Sequence, residues 1–166
     1  MIETLIQTLG SISPELATAM LASLPVTELR AAIPVAVFVF KLSSAASYLW
    51  AVLGNLVPVA LVFGLLPPAM RFALRYTPAL NRRLETYFEK LKTKHGEKYS
   101  KWGAFFLLLF VSIPFPGTGA WTGSVLAVLF RIKRTLAIPY IVAGVFIAGL
   151  LILGITQGAF HGLRLV

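Results

Sequence analysis

The chain has 166 residues, of which 58% are hydrophobic and 13% are charged, and its mean hydropathy is +0.84. This composition excludes an ordinary soluble domain and is typical of an integral membrane protein. The chain has fifteen lysines and arginines and six glutamates, which gives a net charge of +9. In a membrane protein such an excess indicates the orientation of the chain and contact with anionic lipid headgroups rather than with nucleic acid. The absence of cysteine excludes disulfides, thiolate nucleophiles and zinc–cysteine sites.

The first residues carry Ile2, Leu5, Ile6 and Leu9 on one helical face, which predicts a short interfacial helix over residues 1–12. They lack the basic start, short apolar core and small-residue cleavage site of a signal peptide. We therefore expect this segment to remain in the mature protein.

Two stretches are apolar over the roughly 20 residues that a helix needs to cross a bilayer, and they predict full transmembrane helices at 44–66 and 135–157. Four shorter apolar stretches, each about half a bilayer long, flank two proline-containing breaks. These stretches are 14–24 and 28–40 around the break 25–27, and 103–113 and 118–130 around the break 114–119.

Half-helices joined by a break predict a re-entrant hairpin, whose irregular tip is tolerated only inside protein or beside a wet cavity. The two hairpins resemble each other: a shift of 89 positions aligns the motifs SLP and SIP, and a shift of 90 aligns FKL with FRI and Gly54 with Gly144. Each hairpin is also followed by a basic residue and a full span. We interpret this order as an internal repeat, the alternative being chance similarity among apolar segments.

The distribution of basic residues predicts the orientation of the repeats. Nine of the fifteen lie between Arg71 and Lys101, and three more immediately precede the second span, so both groups are placed on the cytoplasmic side. The first span then runs inward and the second outward, which predicts an inverted repeat, an architecture of many secondary transporters. The expected layout is an all-α membrane domain with repeats at 14–66 and 103–157, a basic amphipathic connector helix at 67–102 and a tail at 158–166.

Glu28 and Arg30 follow the first break, where the hairpin prediction places them at membrane depth. Ionisable side chains at that depth are costly and point to function, with Glu28 as a candidate proton-coupling site. The alternative is an ion pair that locks the hairpin, although residues two apart on a helix face each other poorly. Thr27 is placed to cap the helix that starts at Glu28.

The second break offers a different kind of candidate site. The helix after each tip starts at membrane depth, so its free N–H groups and positive dipole end favour an anion. Gly117, Thr118 and Gly119 allow close backbone approach, and Trp121 offers an indole donor. The alternative for this tip is a tight turn. Asn55 is a further buried polar candidate, for which a helix–helix hydrogen bond is the simpler interpretation.

Other chemistry has little support in the sequence. His95 and His161 have no second ligand at metal-binding spacing, so neither a metal nor another cofactor is expected. A Gly-x-Ser-x-Gly elbow and an intramembrane histidine base are both missing, so we do not expect an enzyme.

Three motifs carry a resemblance to a known family: TELRAAIP at 27–34, GNLVP at 54–58 and PFPGTGAWTG at 114–123. They resemble signatures of the "small multi-drug export protein" family of prokaryotic membrane proteins over nearly the whole chain. That family is more remotely similar to the DedA/VTT superfamily, which has two opposed re-entrant hairpins and includes polyprenyl-phosphate and phospholipid translocases. Glu28 matches the acidic residue of that superfamily's first hairpin. The second tip departs from it, because Thr118 and Gly119 stand where an arginine is common.

The leading prediction is therefore a multi-pass transporter or lipid flippase of the inner or plasma membrane that moves an anionic or amphipathic substrate. Its predicted contacts are Glu28, Arg30, the two half-helix N-termini, membrane lipids and, for coupling, protons. The alternatives are an exporter of cationic compounds and a structural membrane protein. A homodimer is also expected from the small size of the body, with Gly144, Ala148 and Gly149 as candidate residues for close packing either between copies or within the monomer.

Overall fold

The computed structural model describes residues 13–77, 86, 102–115 and 117–164, with side chains described as far as residue 159. The described residues are helical, with no strand among them. The helices are α1 Pro14–Ser23, α2 Glu28–Phe38, α3 Ser44–Arg75, α4 Trp102–Ser112, α5 Ala120–Leu129 and α6 Arg134–Arg164. The predicted interfacial helix at 1–12 and nearly all of the predicted connector helix beyond residue 77 lie outside the described residues.

Two pairs of short helices form hairpins at the two predicted breaks. Helices α1 and α2 form hairpin one, and α4 and α5 form hairpin two. Pro14 stands in the first turn of α1, where its missing N–H costs nothing, and the helix ends two residues before Pro25. The predicted breaks are confirmed, with one correction: α5 begins at Ala120 rather than at residue 118, because Thr118 belongs to the turn.

Helices α3 and α6 are the only described helices long and apolar enough to cross a membrane, as the sequence predicted, but α6 continues beyond the predicted end at 157, through most of the predicted tail, to Arg164. The predicted end of α3 at residue 66 is wrong, because the helix continues through Pro67 and Pro68 to Arg75. A proline keeps a helical φ, but it removes a donor and crowds the carbonyl one turn earlier; membrane helices tolerate this cost, so α3 can pass through the pair. The first residues assigned to the connector, from 67 onwards, therefore belong to α3.

The two long helices run antiparallel to each other. Gln157 near the end of α6 donates a side-chain hydrogen bond to Ser44 at the start of α3. Further along, the Tyr48 hydroxyl donates to the carbonyl oxygen of Phe146 at 3.1 Å. Gly149 makes room for this ring, since a Cβ there would lie 2.8 Å from Tyr48 Cε2. This face of α6 packs within the chain, as does that of Gly144, which agrees with the alternative that these glycines pack within the monomer.

Each hairpin packs its first helix against a glycine of the long helix that follows it. A Cβ at Gly54 of α3 would overlap the backbone carbonyl of Ala19 in α1, with Ala19 Cα at 2.6 Å. A Cβ at Gly144 of α6 would lie 3.0 Å from the carbonyl oxygen of Leu108 in α4. The shift of 89 that aligns the hairpins also takes Ala19 to Leu108. The same backbone contact therefore occurs in both halves of the chain.

Two or three residues beyond the second helix of each hairpin lies a basic residue in the left-handed conformation. Lys41 has a φ of 56° and Arg131 a φ of 51°. The next amide donates back to the helix in both cases, from Leu42 to the Ala36 oxygen and from Ile132 to the Ala127 oxygen, each at 3.0 Å. This backbone bonding satisfies carbonyl groups that the helix end would otherwise leave free.

The hairpin tips lie beside the middle of the long helices. In hairpin two, Gly103 near the start of α4 lies against Ile132 just beyond α5, so the two ends of this hairpin lie next to each other. Leu65 and Ile155 on the outer faces of α3 and α6 are about two thirds exposed, as expected for side chains that face lipid.

Candidate functional site

The two hairpin tips meet at the carboxylate of Glu28, the first residue of α2. Glu28 is 5% exposed, and its Oε2 lies 3.2 Å from the Arg30 guanidinium. Residues two apart on a regular helix face each other poorly. Here the backbone at Glu28 is unwound, with a φ of 46°, and this lets the pair form. The spacing of two residues, which disfavours an ion pair on a regular helix, therefore does not prevent the pair here, because Glu28 has a left-handed backbone.

The Glu28 carboxylate also reaches across to hairpin two. The backbone N–H of Trp121, in the first turn of α5, faces this carboxylate and interacts favourably with its negative charge. The sequence predicted an anion at this helix N-terminus, and the anion present is the protein's own carboxylate. Helix α5 is thus capped by a side chain of the other hairpin.

Gly119 makes this capping contact sterically feasible. Its φ is 150°, and a Cβ there would overlap Glu28 Oε2 and lie 2.6 Å from both Cδ and Oε1 of that carboxyl group. Only glycine leaves the space that the carboxylate occupies. The predicted close backbone approach at Gly119 is therefore present, but the group that approaches is Glu28.

Trp121 makes the reciprocal contact. Its indole Nε1 donates to the carbonyl oxygen of Ser23 at 2.9 Å, at the end of α1. The indole donor that the sequence offered to a ligand is engaged here by a helix-end carbonyl. Each hairpin thus supplies the group that satisfies a helix end in the other.

The two threonines of the tips hold their own turns. The Thr27 hydroxyl donates to the Leu21 carbonyl of α1 and does not cap α2, which corrects the predicted N-cap. The Thr118 hydroxyl lies 2.6 Å from the Ile113 oxygen and 2.8 Å from the Phe115 oxygen, which closes the second turn. Both hydroxyls prefer a nearby carbonyl, the usual competition at helix ends.

Gly117 lies apart from the buried site. It is exposed, has a φ of 89°, and a Cβ there would meet no atom within 4 Å. Its conformation serves the turn, which agrees with the tight-turn alternative for this part of the motif.

Asn55 of α3 faces the two tips across a small cavity. The cavity has a volume of about 10 Å³, and its lining includes the polar residues Glu28, Arg30, Asn55 and Thr118 together with apolar residues. Asn55 is 2% exposed, and its Oδ1 has no hydrogen-bond partner among the described residues. The predicted helix–helix hydrogen bond is therefore not made by this oxygen.

A larger apolar groove lies on the other side of Trp121. It has a volume of about 350 Å³ and is lined by the indole, by Val125 of α5 and by the second half of α3. The lining residues of α3 are Leu61, Val62, Leu65, Leu66 and Ala69. Trp121 thus contacts Glu28 through its backbone and the groove through its ring.

A Trp121→Phe variant is expected to lose about 1 kcal/mol of stability, because the Ser23 carbonyl loses its donor. Trp102→Phe is the control, since the Trp102 ring is 70% exposed and packs edge-on against Phe105. Thermal unfolding of both variants in detergent measures the difference. Equal midpoints for the two variants would show that the indole hydrogen bond contributes nothing.

Sequence reasoning selected Glu28, Arg30, Asn55, Gly119 and Trp121, which the structure brings together, but it missed the contact between hairpins. No local sequence pattern indicates the contact between Ser23 and Trp121 or the contact between Glu28 and Gly119. The two residues of each contact are about ninety or more positions apart in the chain. Within the described ranges, no three acidic or histidine side chains group in a way that could hold a metal.

Most residues of this site lie in a segment that matches a known protein family. The family described as "Putative small multi-drug export protein" matches residues 28–151, about three quarters of the chain. The matched segment begins at Glu28 and includes Asn55, Gly119 and Trp121. No curated protein and no solved structure matches the chain.

Proposed function

Because this chain belongs to the small multi-drug export protein family, we propose that it is a transporter that moves an amphipathic anion by alternating access. The family description and the two apolar helices indicate a membrane protein of the export type. The finer assignment concerns the substrate, which we take to be a polyprenyl phosphate, a phospholipid or a similar molecule.

One observation carries this proposal: a charged site and an apolar groove share Trp121. The charged site holds Glu28 and Arg30, and the groove of about 350 Å³ is open and lined by hydrocarbon. A molecule with an anionic head and an apolar tail matches this pair of surfaces. Large apolar pockets with a few polar groups are the usual form of ligand sites.

The carboxylate of Glu28 acts in this proposal as a stand-in for the substrate anion. It already binds Arg30 and the first turn of α5, which are the groups that would bind a phosphate. Protonation of Glu28 removes the negative charge and releases both partners to the substrate. Proton coupling then follows from competition between two anions for one site. A cationic drug is disfavoured, because the single carboxylate of the site is already paired.

Matching details support an inverted repeat of two re-entrant hairpins. The left-handed residues Lys41 and Arg131 correspond by the shift of 90, as do Gly54 and Gly144, each of which packs on the first helix of its own hairpin. The antiparallel course of α3 and α6 agrees with opposite orientations. The DedA-like part of the proposal rests on this architecture and on Glu28.

We also propose an inner-membrane or plasma-membrane location with the basic connector in the cytoplasm, from the positive-inside rule. Val26 is 85% exposed and Phe115 is 65% exposed, both at irregular tips. Irregular backbone at membrane depth needs cover from protein or water. This supports a homodimer in which a second copy covers the tips.

Arg30→Ala and Glu28→Gln are expected to impair transport in different ways. Removing Arg30 deletes a charge-assisted donor, typically about 1.5–3 kcal/mol, so an amphipathic anion should bind more than tenfold more weakly at every pH. Glu28→Gln should retain binding but lose the dependence of uptake on a proton gradient. Proteoliposomes and a fluorescent phospholipid or polyprenyl-phosphate analogue provide the assay. Arg71→Ala, an exposed arginine near the end of α3, is the control for net charge.

A second candidate is a structural role, favoured by the pairing of Glu28 with both Arg30 and Trp121. In that case each single variant would unfold the protein, while apolar replacement of Glu28 and Arg30 together would restore stability with transport unchanged. This outcome would make the ion pair a lock and would contradict the transport site.

A further inference from the structure

Asn55 is a buried amide that the mechanism above does not use. It lies in the middle of α3, is 2% exposed, and its Oδ1 accepts no hydrogen bond from the described residues. Buried polar atoms are almost always satisfied by protein or by ordered water. Because Asn55 Oδ1 has no donor among the described residues, we expect a small hydrogen-bonding molecule to supply one.

The cavity beside Asn55 has the size and the lining that one water molecule needs. Its volume of about 10 Å³ is close to one water-sized probe. A buried water also requires two to four polar partners. Asn55, Glu28 and Thr118 are among the residues that line the space and carry polar side chains, whereas most of the other lining residues, among them Ala148 and Ile152 of α6, are apolar.

We propose that this cavity binds a single water molecule, held by Asn55 Oδ1 next to the Glu28 carboxylate, and that this water carries the proton to Glu28. The water site stands on the geometry alone. The carrier role rests on the proposed function.

The proton step is a relay that leaves the water unchanged. One O–H bond of the water breaks as its proton moves to a Glu28 oxygen, and a new O–H bond forms with a proton from solvent. Arg30 loses its ionic partner at the same moment. Asn55 is a positioning residue in this step, because it holds the water and does not itself exchange a proton.

The groups facing Glu28 from each neighbouring element make water the suitable ligand. Arg30 lies on its own helix, the Trp121 N–H comes from α5, Thr118 from the second tip and Asn55 from α3. The charges of Glu28 and Arg30 balance, so the cavity has no excess negative charge to hold a metal cation. A neutral molecule that can both donate and accept hydrogen bonds suits this lining.

Infrared difference spectroscopy on the purified full chain tests the water site directly. A change of pH that protonates Glu28 should reveal an internal-water O–H band that moves when H₂¹⁸O replaces ordinary water. Asn55→Leu, similar in size but without an acceptor, should abolish this band. Ser47→Ala is the matched control: Ser47 is also buried on α3 with an unpartnered oxygen but does not line the cavity.

The outcomes separate the water site from the transport proposal. If the native chain lacks the isotope-sensitive band, or Asn55→Leu keeps it, the water site is refuted. If Asn55→Leu does not fold, Asn55→Asp decides, since a retained oxygen should keep the band at a changed frequency, and an unchanged frequency refutes the contact. In proteoliposomes, Asn55→Leu should slow proton-driven uptake at least tenfold while amphiphile binding stays unchanged. If Asn55→Leu loses the band but neither the native chain nor any variant transports the amphiphile, the transport proposal is refuted and the water site stands.

Discussion

Gly119→Ala is expected to destabilise the protein by roughly 2–5 kcal/mol, because two costs add at one residue. The φ of 150° is strained for an alanine, and its Cβ would overlap the Glu28 carboxylate that caps α5. Either the carboxylate leaves the helix end or the two hairpins separate. Thermal or SDS-induced unfolding in detergent measures the loss.

Gly117→Ala separates the two costs, since it shares the positive φ but meets no atom within 4 Å. It should cost only the strain, about 1–2 kcal/mol. Adding Glu28→Ala to Gly119→Ala should give a double variant less destabilised than the sum of the two single changes, because the overlap disappears. Strict additivity would show that Gly119 and Glu28 do not touch.

Gly54→Ala is the second substitution with a large expected effect, about 3 kcal/mol of destabilisation. The added Cβ would overlap the main chain of Ala19, and backbone cannot rotate away as a side chain can. Helices α1 and α3 would have to move apart along their whole contact. Unfolding by SDS should show the loss without any change in ligand contacts, since Gly54 does not line the cavity.

Gly64→Ala on the same helix should have the opposite sign. A Cβ there meets nothing within 4 Å, and alanine is the better helix former by up to about 1 kcal/mol. A comparable loss in both variants would mean that glycine matters in α3 for a reason other than close packing.

The course of the helices was largely predictable because its causes are local. Pro25 and Pro114 lie in the breaks between helices, because proline disfavours continuation of a helix, and apolar spans of about twenty residues are typical of transmembrane helices. The extension of α3 through Pro67 and Pro68 was missed, because the sequence does not show whether a proline pair ends a helix or is tolerated inside it. The left-handed backbone at Glu28 was missed for a similar reason, since a glutamate gives no sign of it.

The identities of the site residues were predictable, but their partners were not. Glu28 could be selected from the sequence because it is an ionisable residue next to a break between two apolar stretches. Its contacts with Gly119 and Trp121 depend on how two hairpins dock, which is a property of packing between distant segments. The same holds for the indole of Trp121, where a donor could be foreseen and its acceptor at Ser23 could not.

The reciprocal contacts between the tips set an order of events during synthesis. Glu28 and the Ser23 carbonyl are synthesised with hairpin one, but their partner Trp121 is translated some ninety residues later. At about 5–20 residues per second the ribosome needs roughly 5–20 seconds to supply it. Arg30 is only two residues from Glu28 and can neutralise the carboxylate throughout this interval. The ion pair therefore keeps the Glu28 charge neutralised in the nascent first hairpin until hairpin two has been made.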